Sequence, residues 1–151
     1  MMRIISATAY DVDKIMPIMA TAFAPEFGEA WTADQCRGVL ALPGSALSIA
    51  YWEGDVAGFA LWRSVLDEAE LLLIATDPAR RQSGIGTALL NHLIGTAKAA
   101  GIVRLHVEVR SDNPALRFYE AAKFDQVGVR PHYYRRLDGG PNDANSLCRL
   151  L

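Results

Sequence analysis

Ile74-Ala75-Thr76-Asp77-Pro78-Ala79-Arg80-Arg81-Gln82-Ser83-Gly84-Ile85-Gly86-Thr87-Ala88-Leu89-Leu90 passes from an apolar run through a turn into a helical pattern. The run begins upstream, where Leu71 to Ala75 is unbroken and apolar, the pattern of a central strand covered on both faces. A strand is therefore expected over Ala69 to Thr76, and Asp77-Pro78 stops it. From Gly84 to Ala100 the spacing predicts a helix. Ile85, Leu89 and Leu93 share one face, and Gly101 supplies the C-terminal stop. A helix that starts just after a buried strand presents unpaired N–H groups and a partial positive charge. Gly84 and Gly86 let that backbone come close to a phosphate, and Arg80 or Arg81 can add a fixed charge.

Outward from this stretch the pattern is regular. Arg3 to Ser6 predicts a short first strand. Val12, Ile15, Met16, Met19 and Ala20 give Asp11 to Ala22 a helical stripe, with Pro17 placed to kink or shorten it. Thr32 and Gln35 form a capping box, so a second helix is expected from there to about Leu42, ended by Pro43-Gly44. Ala46 to Trp52 and Val56 to Ser64, parted by Glu53-Gly54-Asp55, read as a hairpin. Val103 to Val109 alternates apolar odd positions with polar Arg104, His106 and Glu108, which predicts a strand with one wet face. Asn113-Pro114 starts a short helix, with Asn as cap and Pro in the first turn, running to near Ala122. Phe124 to Arg130 and Ser146 to Leu151 are the last strands, around a loop-rich Pro131 to Asn145. The order β-α-α-β-β-β-α-β-α-β-β is an α/β or α+β chain on a mixed sheet, with one strand–helix–strand crossover.

At 151 residues the chain suits one domain over 1–151, and 51% hydrophobic residues suffice for a real core. A net charge of -2 supplies no general attraction to nucleic acid or to an anionic membrane. Cys36 and Cys148 form no CxxC pair, and His92, His106 and His132 lack metal-ligand spacing, so neither a disulfide nor a metal is expected. Met1 to Ala9 lacks the pattern of a secretory leader, and no apolar run nears the roughly 20 residues a bilayer requires. A cytoplasmic setting is expected.

Two familiar phosphate loops fail on the residues. A P-loop needs Lys after its last Gly, where this chain has Thr87. The dinucleotide fingerprint needs Gly or Ala three residues beyond the second Gly, where Leu89 stands. The plain alternative is a helix start that happens to hold two glycines. The full stretch Ile74 to Leu90 resembles the GNAT superfamily of N-acetyltransferases. Its motif is Arg or Gln, two residues, Gly, one residue, then Gly or Ala, matched by Arg81, Gly84 and Gly86. The resemblance implies a central, mixed, mostly antiparallel twisted sheet of six to seven strands flanked by about four helices. It also implies that Arg81, Gln82, Ser83, Gly84, Ile85, Gly86 and Thr87 hold the pyrophosphate of acetyl-CoA. The backbone of Ile74, Ala75 and Thr76 would then pair with the pantetheine arm.

Leu105 to Arg110, Asn113, Phe118-Tyr119-Glu120, His132-Tyr133-Tyr134, Asp138-Gly139 and Ala30-Trp31-Thr32 narrow the resemblance to bacterial ribosomal-protein-alanine N-acetyltransferases. That implies a protein N-terminal α-amine as acceptor. A small amine or a lysine, or a non-catalytic acetyl-CoA-binding module, stand as alternatives. The resemblance makes Glu108 the general base and Tyr119 the acid that protonates the leaving thiolate. It also places Asn113 against acetyl-CoA. Pattern alone equally explains Glu108 as a carboxylate paired with Arg104 or Arg110, and Tyr119 as a tyrosine packed with Leu116. His106 and Glu70 are rival bases, each also explained as an ordinary surface group. Two departures from the family stand out. Asn113 and Tyr119 are six positions apart, not seven, and Lys123 occupies the family's Gly position before Phe124. A left-handed backbone there would strain a lysine.

Overall fold

Glu53 and Gly54 have φ of 50° and 86°, the left-handed pair that a two-residue hairpin turn needs to match strand twist. They join β2 (Ser45–Trp52) to β3 (Asp55–Val65), and Asp55, expected in the turn, instead pairs with Trp52. A computed structural model of the chain describes residues 1–24, 28–134 and 143–151. The other strands are β1 (Met2–Ala7), β4 (Glu68–Thr76), β5 (Arg104–Arg110), β6 (Asp125–Arg130) and β7 (Ala144–Leu150). They form one seven-stranded sheet, ordered β1-β2-β3-β4-β5-β7-β6, and every neighbouring pair is antiparallel except β4–β5. The mixed, mostly antiparallel sheet expected from the resemblance is the one observed. Asp138 to Asn142 lies outside the described residues.

Helices α1 (Val12–Ala22) and α2 (Ala33–Leu40) cover one face of the sheet, and α3 (Ile85–Ala99) and α4 (Ala115–Ala121) the other. On α1 the buried stripe is Val12, Ile15, Ile18 and Met19, so Ile18 takes the place expected of Ala20. The helix continues through Pro17 to Ala22. The Thr32–Gln35 capping box starts α2, which ends two residues short of Leu42. A Schellman cap ends α3: Gly101 N–H donates to Lys98 O and Ile102 N–H to Ala97 O, both at 3.0 Å, with Gly101 at φ 83°. Among the described residues no helix is long and apolar enough to cross a membrane.

Strand β4 carries the decisive irregularity. Leu61 pairs with Leu73 and Trp62 with Leu71, so Leu72 is an extra residue, a β-bulge. A bulge shifts the alternation of faces by one. Ala69 and Leu71 therefore pack on the α3 side, whereas Leu73 and Ala75 pack on the α1 side. The apolar run needs no polar positions because each face is covered in turn. Parallel pairing to β5 is confined to Glu68–Leu71 against Arg104–Val107 and stops at the bulge. Beyond it the two strands part and leave a cleft.

Helix α3 sits close over β3 and β4 because Gly58 has no side chain. A Cβ there would lie 2.7 Å from Ala75 O and 3.1 Å from the side chains of Ile85 and Leu89. Gly58→Ala is expected to cost about 1–3 kcal/mol through overpacking, read as a lower urea midpoint at unchanged slope.

Candidate active site

The parting of β4 and β5 opens a cleft of about 1050 Å³. One wall is Glu70 to Thr76, and the other is Val107 to Arg110. Leu72 to Thr76 have no ladder partner on the β5 side, so their backbone groups on that edge are free to bind a ligand.

The turn above the cleft is built from local rules. Asp77 accepts from Ala79 N–H at 3.0 Å and caps a single 3-10 turn, Pro78–Arg80. Arg80 is engaged with Asp55 and Asp77, whereas Arg81 reaches the cleft and donates to Ala22 O at 3.2 Å. Gln82 and Gly84 have φ of 67° and 80°, so the chain turns sharply before α3, and Gly84 alone of the two adopts this without strain. Among the described residues no side chain caps the N-terminus of α3. Its first-turn N–H groups at Ile85, Gly86 and Thr87 are left to whatever lies in front of them. A Cβ on Gly86 would meet only ordinary contacts, Thr76 Oγ1 at 3.6 Å and Phe118 at 3.7 Å. Packing therefore does not demand this glycine, and the space beside it belongs to the cleft.

The residues expected at this site are not all placed alike. Ile74, Ala75, Thr76, Arg81, Gln82, Gly86 and Asn113 line the cleft. Ser83 and Gly84 shape the turn without lining it. The Ile85 side chain is buried in the core, so only its backbone faces outward. Thr87 lines a neighbouring cavity between α3 and α4. Asn113 Oδ1 accepts from Ala115 N–H at 2.9 Å, so it caps α4 and lines the cleft at once.

Glu108 faces the cleft from the middle of β5 with both carboxylate oxygens engaged. Ser146, its partner across β7, donates to Oε2 at 2.7 Å, and Arg130 Nε lies 3.2 Å from Oε1. The cation beside it is thus neither Arg104 nor Arg110. Tyr134 donates its hydroxyl to the Glu108 carbonyl at 2.8 Å and fixes the strand there. Glu70 stands at the cleft mouth, and partial burial and then the Glu108 charge push its carboxyl above the ordinary range. His106 pairs with Glu68 at 2.9 Å, the hydrogen-bonded surface histidine of the plain reading. Tyr119 is buried, packed edge-on between Phe118 and Phe124 at 5.2 and 5.4 Å, and lines the cleft. Burial, and then the Glu29 charge, raise its phenol well above the ordinary value.

Sequence reasoning missed Arg110 and Glu29. Arg110 is 4% exposed, and its guanidinium donates to Glu29 and Asp112. This ties the segment before α2 to the end of β5 across the cleft. Asp112, two residues away, was a visible signal. Glu29 is 81 residues distant in sequence and gave none.

The acetyltransferase (GNAT) family model matches residues 12–124. The chain belongs to this family. A relative from Escherichia coli (strain K12), [ribosomal protein bS18]-alanine N-acetyltransferase, is 42% identical over 87 residues, 57% of this chain and 59% of that protein. The chain thus spans under two thirds of that relative's length. The protein of the same name from Haemophilus ducreyi is 38% identical over 107 residues, 70% of this chain and 74% of that one. The crystal structure of the ribosomal-protein-S18-alanine N-acetyltransferase from Escherichia coli superposes with a TM-score of 0.89 at 32% identity. It covers 99% of this chain and 94% of that one. The GNAT match includes β4, the glycine turn, β5 and α4, the elements that form the cleft.

Truncating Arg110 would remove the buried guanidinium that Glu29 and Asp112 share in this GNAT cleft. Arg110→Ala is expected to lower stability by about 3–5 kcal/mol in urea unfolding, far more than loss of an exposed pair such as Arg37–Asp34.

Proposed function

We propose that residues 1–151 act as one acetyl-CoA-dependent N-acetyltransferase domain whose acceptor is a protein N-terminal α-amine. The observation that carries this is the coincidence of two features in one cleft. An uncapped helix start at Ile85–Thr87 stands over the free backbone edge of Leu72–Thr76, and Glu108 and Tyr119 line the same space. Acetyl-CoA supplies the activated acetyl thioester. The N–H groups of Ile85 to Thr87 bind its pyrophosphate, with Arg81 beside them, and the edge of Leu72 to Thr76 receives the pantetheine amides.

The chemistry then needs one proton removed and one delivered. Glu108 takes the proton from the amine as it attacks. Ser146 and Arg130 hold the carboxylate in place, and Arg130 is exposed enough to swing toward solvent when the site fills. Tyr119 gives its proton to the leaving thiolate. A phenol raised by burial keeps that proton at any working pH. An α-amine has a pKa near 8, so about a tenth is neutral at pH 7, whereas lysine near 10.4 would be neutral about 250-fold less often. A carboxylate base suits the easier amine. The acceptor named for the relatives, an alanine at the start of a ribosomal protein, is the first peptide to offer. Two free cysteines suit a reducing setting, the cytoplasm.

With an alanine-starting peptide, Glu108→Gln is expected to lower kcat about 100-fold or more while the Kd for acetyl-CoA stays within about twofold. Turnover near that of the parent would remove Glu108 from the role. For Tyr119, kcat followed to pH 10 should show no alkaline fall due to phenol ionisation, and Tyr119→Phe should lose about tenfold or more. Acetylation of free lysine or small amines in preference to the peptide would replace the proposed acceptor.

A further inference from the structure

Acetyl transfer by Glu108 and Tyr119 uses neither Glu70 nor His106, yet those two stand side by side. The parallel ladder pairs Glu68 with Arg104 and Glu70 with His106. Ala69, Leu71, Leu105 and Val107 of the same stretch turn into the α3 core, so Glu68, Glu70, His106 and Glu108 share the opposite, wet face. Glu108 follows His106 about 7 Å further along β5. Glu108 and Glu70 line the cleft, and His106 and Glu68 lie beyond its mouth. Exposure rises along this row, from 13% for the Glu108 side chain to 40% for His106 and 48% for Glu68, so the row ends in solvent.

The neighbours of His106 set its tautomer. Nε2 lies 2.9 Å from Glu68 Oε1. That hydrogen bond, with the His106 and Arg104 charges behind it, holds the Glu68 carboxyl below its ordinary range. An ionised carboxylate can only accept, so Nε2 carries the hydrogen and Nδ1 keeps its lone pair for an incoming proton. Glu68 is then placed to steady the imidazolium that forms, as a carboxylate does behind a catalytic histidine. The flanking groups do not compete. Cys148, opposite His106 on β7, has a thiol that burial raises, and it keeps its own proton. Arg104 and Arg130 accept none. Asp125, paired with Cys148 from β6, lies one strand further away.

An α-amine with a pKa near 8 arrives at pH 7 mostly as the ammonium. Its nitrogen loses two protons on the way to an amide. Glu108 takes one as the amine attacks, and the proton that Tyr119 gives to the thiolate balances it. The other leaves before attack and has to reach water while the acceptor covers the cleft mouth. We propose that Glu70, His106 and Glu68 are the exit for this ammonium proton. The N–H bond breaks as an O–H bond forms on Glu70. Glu70 passes the proton to Nδ1 of His106, the imidazolium loses its Nε2 hydrogen through Glu68 to water, and exchange with water restores the first tautomer. Partial burial, and then the Glu108 charge, raise the Glu70 carboxyl and make it a better proton acceptor than an ordinary glutamate. The exit rests on the α-amine acceptor proposed above.

Turnover of an alanine-starting peptide in weak buffer tests it. At about pH 7, His106→Gln and Glu70→Gln should each lower kcat/KM about tenfold. The double variant should be no slower than the slower single one, because groups in series fail together. At about pH 9.5 the α-amine is already neutral, and both deficits should shrink to about twofold or less. Added free imidazole should restore His106→Gln and leave Glu70→Gln slow, which loss of a purely structural contact would not produce. Either variant matching the parent at about pH 7, losses that add in the double variant, a deficit that persists at the higher pH, or no rescue by imidazole would overturn the exit. A parent that leaves the peptide unacetylated would instead overturn the proposed acceptor, and the exit with it.

Discussion

The working parts of this protein depend on a parallel strand pair that stops early. β4 and β5 are joined over only four residues each, Glu68–Leu71 with Arg104–Val107, and then diverge. The bulge at Leu72 ends the pairing and also re-aims the strand, so Leu73 and Ala75 anchor β4 to the α1 face while Ala69 and Leu71 remain on the α3 face. Had the ladder continued, the edge of Leu72 to Thr76 would be satisfied by β5 and no cleft would exist. An unpaired buried strand edge is unfavourable unless water or a ligand completes it. The family's acyl carrier, with amides along its arm, is chemically suited to do so.

The cleft is divided by charge and polarity. At its upper end, the α3 N-terminus and Arg81 favour an anion. At its lower mouth stand Glu70 and Glu108, where burial and then the Glu108 charge raise the Glu70 carboxyl, with Arg130 and the Tyr133–Tyr134 pair around them. A negative cofactor and a positive acceptor amine can therefore approach from opposite sides, each attracted to its own end. Arg110, buried and paired with Glu29 and Asp112, braces the wall between these ends. Its worth is structural: a buried guanidinium is costly to separate from the carboxylates paired with it.

Local rules were enough for the elements themselves. The glycine turn, the Thr32 capping box, the Glu53-Gly54 hairpin, the Gly101 stop and the Asn113 cap all lie within a few residues of what they organise. Their physics is short-range, so composition and spacing expose it. The misreadings came from the same horizon. Ala20 was given a core place that Ile18 fills, because two stripes on α1 differ only in which side meets β3 and β4. Asp55 was placed in the hairpin turn, and it pairs with Trp52 instead, because the left-handed pair is Glu53 and Gly54.

The sequence by itself determined the strand–turn–helix that leads into the start of α3, the alternation that turns Glu108 away from the core, and the motif that places the chain among acetyltransferases. Only the tertiary structure decided who stands beside those groups. Ser146 and Arg130 reach Glu108 from β7 and β6, Glu29 reaches Arg110 from beyond α1, and Arg149 reaches the Ala122 carbonyl at the end of α4. Such partners are tens of residues apart and are brought together by sheet order. Periodicity records which face a residue occupies, and it carries no information about which distant strand will arrive next to it.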